Sequence, residues 1–198
     1  MRLMLECRFL ALSNVRGPDD DILELHVCSK YQDVNVEINI RLEKFTELDF
    51  DDYFQLIGDD RVMAMITGRA LSPDEARVRF ERLLGYNQLN AHLGAFKILE
   101  ASTNAFIGLA KLEIRNSNDE EAELGYAIRP DYWGKRVAST AVQKLIDIAR
   151  NQTDISMLYA NIDPGNVASR RILVNNGFVT REFRDFDGLP GEVLELEL

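Results

Sequence analysis

Glu123-Leu124-Gly125-Tyr126-Ala127-Ile128-Arg129-Pro130-Asp131-Tyr132-Trp133-Gly134-Lys135-Arg136-Val137-Ala138 reads as a strand running into a small-residue turn and then a helix. The first turn of any helix leaves its backbone N–H groups without intrahelical partners, at the positive end of the helix dipole. A turn followed by a helix start is therefore a phosphate site by geometry. Lys135 and Arg136 add positive charge there. The stretch is not a P-loop, because no glycine-rich run ends in Gly-Lys-Ser/Thr. It is not a dinucleotide fingerprint either, because Gly-x-Gly-x-x-Gly is absent.

Working outward, the helix that begins here covers about residues 134–150. Val137, Ala141, Leu145 and Ile148 form one apolar stripe, and Ala138, Val142 and Ile146 widen it. Upstream, Leu93–Ile98, Ala105–Ile114 and Ala122–Ile128 read as three strands separated by short polar turns, 101–104 and 116–119. Short separations imply antiparallel neighbours. Downstream, Ile155–Ile162 is a further strand. Asn166 caps a short helix through about Asn175, Gly177 takes its left-handed stop, and Phe178–Phe186 with Glu192–Leu198 form a hairpin around Asp187-Gly188. Earlier, Val34, Val36, Ile38 and Ile40 alternate as in a strand. Thr46 to Asp49 starts a helix with Leu48, Tyr53, Leu56 and Ile57 inward and Gly58 as its stop. Ser72-Pro73-Asp74-Glu75 starts another, with Ala76, Phe80, Leu83 and Leu84 inward and Gly85 as its end. Residues 1–34 fit less smoothly. Phe9–Leu12 and Ile22–Val27 around Gly17–Asp21 read as a hairpin or added edge, with a disordered tail as the alternative.

The 198 residues carry a net charge of −10. That sign argues against a broad nucleic-acid binder, whose association depends on neutralising phosphates. Cys7 and Cys28 are too few for a disulfide scaffold. With only His26 and His92 beside them, they offer no zinc spacing, so no metal is expected. No apolar run approaches the ~20 residues that cross a bilayer. The start meets Glu6 and Arg8 without an apolar signal region, so a cytoplasmic, membrane-free protein is expected. The segments add up to one α+β domain at 35–198, after the extension at 1–34.

The central stretch resembles the pyrophosphate-binding motif of the GNAT superfamily of N-acetyltransferases, most of all the branch of ribosomal-protein N-terminal serine and alanine acetyltransferases. That branch has Glu-x-Gly-Tyr, a proline shortly before Trp-Gly, then Trp-Gly-Lys-Gly-Tyr-Ala. This chain has Glu123-Leu124-Gly125-Tyr126, Pro130 and Trp133-Gly134-Lys135-Arg136-Val137-Ala138. The family's second motif, Asn-x-x-Ser, then Leu, then Gly-Phe, is matched by Asn166-Val167-Ala168-Ser169, Leu173 and Gly177-Phe178. The resemblance covers about residues 35–198. It implies a mixed, mostly antiparallel central sheet flanked by helices.

It further implies that acetyl-CoA is the cosubstrate, held where the strand of Glu123 splays from the strand of Tyr159-Ala160-Asn161. A bulge near Ala127 would free backbone groups of Ala127 and Ile128 for the pantetheine. Residues Gly134, Lys135, Arg136, Val137 and Ala138 would wrap the pyrophosphate, and Trp133 would join these cofactor-binding residues as a packing plug under the loop rather than a substrate contact. Asn161, Asn166 and Ser169 would line the cofactor side. Glu123 is the candidate base, because an amine must lose a proton before it attacks a thioester. Ser169 is the candidate acid for the leaving thiolate, since Leu173 stands where many relatives have tyrosine. Arg136 departs from the family's glycine. The implied partner is an amine acceptor, either a protein N-terminus or a small molecule, on a monomer or homodimer. Residues 46–92 would select it; Asp59, Asp60 and Arg61, followed by Arg69, surround the Val62–Ile66 cluster, and the acidic groups there would suit a cationic amine. The alternatives are a non-catalytic acyl-CoA-binding module and a subunit that docks a partner through residues 1–34.

Overall fold

The computed structural model describes residues 38–186 and 188–198. The expected hairpin within 1–34, most of the alternating 34–40 segment and Asp187 lie outside the described residues. In chain order the elements are β1 (Ile40–Lys44), α1 (Phe50–Ile57), α2 (Asp60–Met63), α3 (Pro73–Asn87), β2 (Gly94–Glu100), β3 (Phe106–Glu113), β4 (Glu121–Ile128), α4 (Val137–Arg150), β5 (Met157–Ile162), α5 (Val167–Asn175), β6 (Val179–Phe186) and β7 (Leu189–Glu197). The strands form one sheet in the order β1-β2-β3-β4-β5-β7-β6. The β4–β5 pair is parallel and the other five are antiparallel. This is the mixed, mostly antiparallel sheet flanked by helices that the sequence implied.

Alternation along the strands divides the core in two. Ala110, Leu112, Leu124 and Ile128 pack with Val137, Ala141, Leu145 of α4 and Leu173 of α5 on one face. Phe106 and, at the edge, Leu109 and Ala127 pack with Phe45, Tyr53, Leu56 and Phe80 on the other. Phe45 meets Tyr53 and Phe80 edge-on, each with ring centres 6.0 Å apart, a favoured aromatic arrangement. The α4 stripe read from the sequence is buried at Val137, Ala141, Val142, Leu145 and Ile146, while Ala138 and Ile148 are half-buried against the same core.

Three local readings need correction. Leu48 does not face inward: it lies in a short 3₁₀ turn before α1 and is 93% exposed. That turn is held by Asp49, which accepts from the Thr46 N–H at 2.7 Å and from Lys97 Nζ at 2.7 Å. Nor does Gly85 end its helix, because α3 continues to Asn87. The Asn87 side chain explains the extension: it accepts from the Ala95 N–H at 2.6 Å and donates to the Ala95 carbonyl at 3.2 Å, tying the helix end to β2. The terminal hairpin is longer than expected, since β7 begins at Leu189 rather than at Glu192. Among the described residues no helix is long and apolar enough to cross a membrane.

The hairpin anchors α5 through a buried charge. Glu192 on β7 is 1% exposed and accepts from Arg170 Nε at 3.1 and 3.0 Å and from the Thr180 hydroxyl at 2.5 Å. Removing one member of a buried ion pair strands the other away from water. Because Arg170 is itself 45% exposed and Thr180 stays on Glu192, Arg170→Ala is expected to cost about 1–3 kcal/mol in urea unfolding. A loss below about 1 kcal/mol would show that α5 is not held by this pair.

Candidate active site

β4 and β5 pair only at Glu121–Met157, Ala122–Leu158 and Glu123–Tyr159. Beyond that point β4 stays with β3 as far as Ile128, and β5 stays with β7 as far as Ile162. The strands part because each is committed to its other neighbour. The result is a cleft of about 1020 Å³, lined by Glu123 to Ala127 on one side and by Ala160 to Asp163 on the other. Asn166, Ser169 and Leu173 of the α5 segment close one wall, and α1 to α3 close another.

The expected bulge at Ala127 is absent: the β3–β4 register runs unbroken from Glu113–Glu123 to Gly108–Ile128. The backbone of Leu124 to Ile128 is freed on its β5 side by divergence alone. Gly108 permits the close β3–β4 approach, since a Cβ there would strike the Ala127 carbonyl oxygen.

The turn before α4 has a distinct backbone. Gly134 and Arg136 both take positive φ, 74° and 61°. Among the described residues the N–H groups of Gly134 to Ser139 have no protein acceptor, and no side chain caps the helix. Consecutive free N–H groups in such a turn form an anion-binding concavity. Arg136 takes a conformation that costs an L-residue with a side chain about 1–2 kcal/mol. That is a physical reason why the motif this turn resembles has glycine here. Trp133 is not a packing plug: it is 51% exposed, and its indole N–H donates to the Ile128 carbonyl at 2.7 Å, pinning the turn to the end of β4. Lys135 Nζ sits 5.4 Å from the Tyr132 ring centre.

Glu123 lies at the root of the opening. Lys111 Nζ is 2.9 Å away, Arg115 3.7 Å away, and Asn161 Nδ2 donates to it at 3.3 Å. Burial favours the neutral acid, but Lys111, Asn161 and Arg115 outweigh it and hold the carboxyl below its usual range. Lys111 also reaches Glu113 at 3.4 Å, and the two glutamates raise its pKa against the effect of burial. Gly125, directly across from Lys111, leaves room for this geometry: a Cβ there would meet Lys111 Cε at 2.7 Å.

Two buried polar atoms lining the cleft lack partners: the Tyr126 hydroxyl and Asn161 Oδ1. Such groups cost stability unless something else pairs with them. Burial pushes the Tyr126 phenol up, so it stays a donor, and Ser169 stands beside it. Among the described residues no cluster of histidine, cysteine and carboxylate side chains could hold a metal ion.

The cleft thus collects Glu123, Ala127, Asn161, Asn166 and Ser169 from the expected site residues. Ile128 turns its side chain into the core, and its carbonyl is taken by the Trp133 indole, which leaves only its N–H for any contact. Trp133, Gly134, Lys135, Arg136, Val137 and Ala138 form the turn and helix start rather than the cleft wall. Lys111, Arg115 and the orphaned Tyr126 hydroxyl carry weight that the sequence reading did not assign. The alternation Leu109, Lys111, Glu113 placed charge on one strand face and was the available signal.

The acetyltransferase (GNAT) domain family matches residues 39–179. The chain belongs to the GNAT acetyltransferase family. An uncharacterized N-acetyltransferase, p20, of Bacillus licheniformis is 28% identical over 109 residues, covering 54% of this GNAT chain and 61% of its own length. A second from Bacillus subtilis, YoaA, is 28% identical over 92 residues, 44% of this chain and 52% of its own. The matches thus span between half and two thirds of these relatives. Among solved structures, spermidine N-acetyltransferase from Vibrio cholerae, in complex with CoA and spermine, is 19% identical with a TM-score of 0.67, covering 80% of this chain and 95% of its own. A ribosomal L7/L12 α-N-protein acetyltransferase in complex with coenzyme A is 15% identical with a TM-score of 0.68, covering 80% and 94%. At such identities the likeness carries the fold alone.

The left-handed Arg136 gives a direct check on this GNAT turn. Arg136→Gly is expected to raise the unfolding free energy by about 1 kcal/mol in urea titration. A decrease would mean that the guanidinium stabilises the turn more than its backbone strains it.

Proposed function

We propose that this protein is an acetyl-CoA-dependent N-acetyltransferase that passes an acetyl group directly to a primary amine. One observation carries the reading: β4, left by β5 after Glu123, leads directly into a turn whose N–H groups from Gly134 to Ser139 have no protein acceptor among the described residues. A diphosphate-bearing ligand with a long polar arm suits both features. The free N–H groups take phosphate oxygens. The lone Asn161 Oδ1 and Tyr126 hydroxyl offer an acceptor and a donor to the arm.

Acetyl-CoA supplies an acyl thioester at the inner end of the opening. Gly134, Lys135, Arg136, Val137 and Ala138 hold the pyrophosphate, with Trp133 fixing their turn to β4. The β4 edge that β5 leaves unpaired, at Leu124, Tyr126 and the Ile128 N–H, hydrogen-bonds the arm and steadies the thioester oxygen, whereas the Ala127 backbone faces Leu109 on β3. Asn166 and Ser169 line its other side. Glu123 is ionised at neutral pH, so it draws the proton from the acceptor amine, directly or through water. Ser169, beside Tyr126, hydrogen-bonds the leaving thiolate, which takes its proton from water. A protein N-terminus is one acceptor of this chemistry, on the strength of the motif resemblance. A non-catalytic acyl-CoA-binding module is the second reading, favoured by the aliphatic Leu173 on the cleft wall.

Isothermal titration with acetyl-CoA and a thiol-release assay on an amine panel test the proposal. Gly134→Asp is expected to weaken acetyl-CoA binding at least about tenfold, because a carboxylate would face the phosphates. An unchanged dissociation constant rejects that placement. Glu123→Gln should lower turnover by ~10²-fold while leaving acetyl-CoA affinity alone. Because the Glu123 carboxyl is held low, the acid limb of the wild-type rate profile should follow the acceptor amine instead. Full turnover in Glu123→Gln contradicts the base role, and binding without turnover of any amine favours the module.

A further inference from the structure

The acceptor side of the cleft is basic, in a protein whose net charge is −10. Arg79 and Arg82 stand three residues apart on α3, hence on one helix face, and both line the cleft together with Tyr86. Arg115, just past β3, lines it as well. The carboxylates sharing this space are already engaged. Glu75 binds Arg69 through contacts of 2.5 and 2.9 Å, and Glu113 and Glu123 flank Lys111. Asp163 accepts from the Gly165 N–H at 2.7 Å. Among the described residues no carboxylate pairs with Arg79 or Arg82, and Arg115 reaches Glu123 only at 3.7 Å.

The acidic residues expected to attract a cationic amine are elsewhere. Asp59 is taken up by Arg61, at 3.0 and 2.6 Å, and Asp60 accepts from the Ala70 N–H at 2.7 Å. Neither lines the cleft. A polyamine entering here would meet Arg79, Arg82 and Arg115 with like charge. A carboxylate would meet guanidinium groups, whose planar forks bind carboxylates in bidentate fashion.

We infer that the acceptor is a primary amine that also bears a carboxylate, with Arg79, Arg82 and Arg115 holding the carboxylate while Glu123 faces the amine. This rests on the transferase reading and adds the substrate class. The cleft is then complementary to both ends of a zwitterion, and it selects against cationic amines by repulsion as well as for carboxylates by attraction.

The test measures thiol release from acetyl-CoA with matched acceptors. One arm pairs free α-amino acids with their carboxamides. The other pairs peptides bearing Asp or Glu at the second position with their Asn or Gln counterparts. Spermidine serves as the cationic comparison. The carboxylate member of a pair should show kcat/KM at least about tenfold above its amide. In the Arg79→Gln/Arg82→Gln double variant that ratio should fall toward one, with acetyl-CoA affinity unchanged by calorimetry. Free amino acids leading identifies the α-carboxylate as the bound anion, and acidic peptides leading identifies a side-chain carboxylate. Four results overturn the inference: equal rates within every pair, spermidine preferred, a ratio that survives the double substitution, or loss of acetyl-CoA affinity in that variant. A fifth does so too, namely bound acetyl-CoA with no turnover of any carboxylate-bearing amine. Failure of the wild-type protein to bind acetyl-CoA overturns instead the transferase reading beneath it.

Discussion

β4 has hydrogen-bonding capacity for two neighbours and, after Glu123, uses only one. Everything distinctive in this molecule follows from that broken ladder. β3 holds β4 in unbroken register, β7 holds β5, and neither strand can follow the other without giving up an antiparallel partner. The gap between them is therefore a fixed product of the sheet order. Unpaired backbone groups inside a protein are costly, so a gap of this kind persists where a ligand or water can pair with them.

The charge arrangement depends on the same geometry. Lys111 and Glu123 face the cleft side of the sheet on adjacent strands, and Gly125 is small enough to let the lysine reach the carboxylate. The Glu-x-Gly pattern thus has two physical uses: the acid faces the opening, and the glycine admits its cation. Glu123 is in consequence held ionised, suited to attracting an ammonium group rather than to donating a proton.

Much of the fold was legible because its signals are local. The Ser72-Pro73-Asp74-Glu75 start is the capping box that forms, with Ser72 N–H donating to Glu75 at 2.8 Å. The 3.6-residue stripe of α4 and the short turns between antiparallel strands also carry over directly. The errors fall where tertiary contacts decide. α3 runs past Gly85 because Asn87 is bound to β2. Leu48 sits in a tight turn that leaves it in solvent. No bulge at Ala127 was needed, because strand divergence is a property of four strands together and has no signature in any one of them. Of the candidate site, Glu123, Asn161, Asn166 and Ser169 line the cleft where the motif resemblance implied. The charge on the Lys111 face of β3 was visible in the alternation, but what Lys111 and Arg115 touch depends on register across β3 and β4. The basic character of the acceptor side was also hidden: it depends on which carboxylates are already paired, and counting charges along 46–92 cannot supply that.

The central claim is that the opening and the turn before α4 form one continuous acyl-CoA cradle. Hydrogen exchange of backbone amides, measured with and without acetyl-CoA, reads this directly. Slowed exchange is expected at residues 134–139 together with the free edge of β4 at 124–128, and little change in β1 or β2. Saturating acetyl-CoA that leaves both segments exchanging as before, or that protects a different surface, would contradict the account.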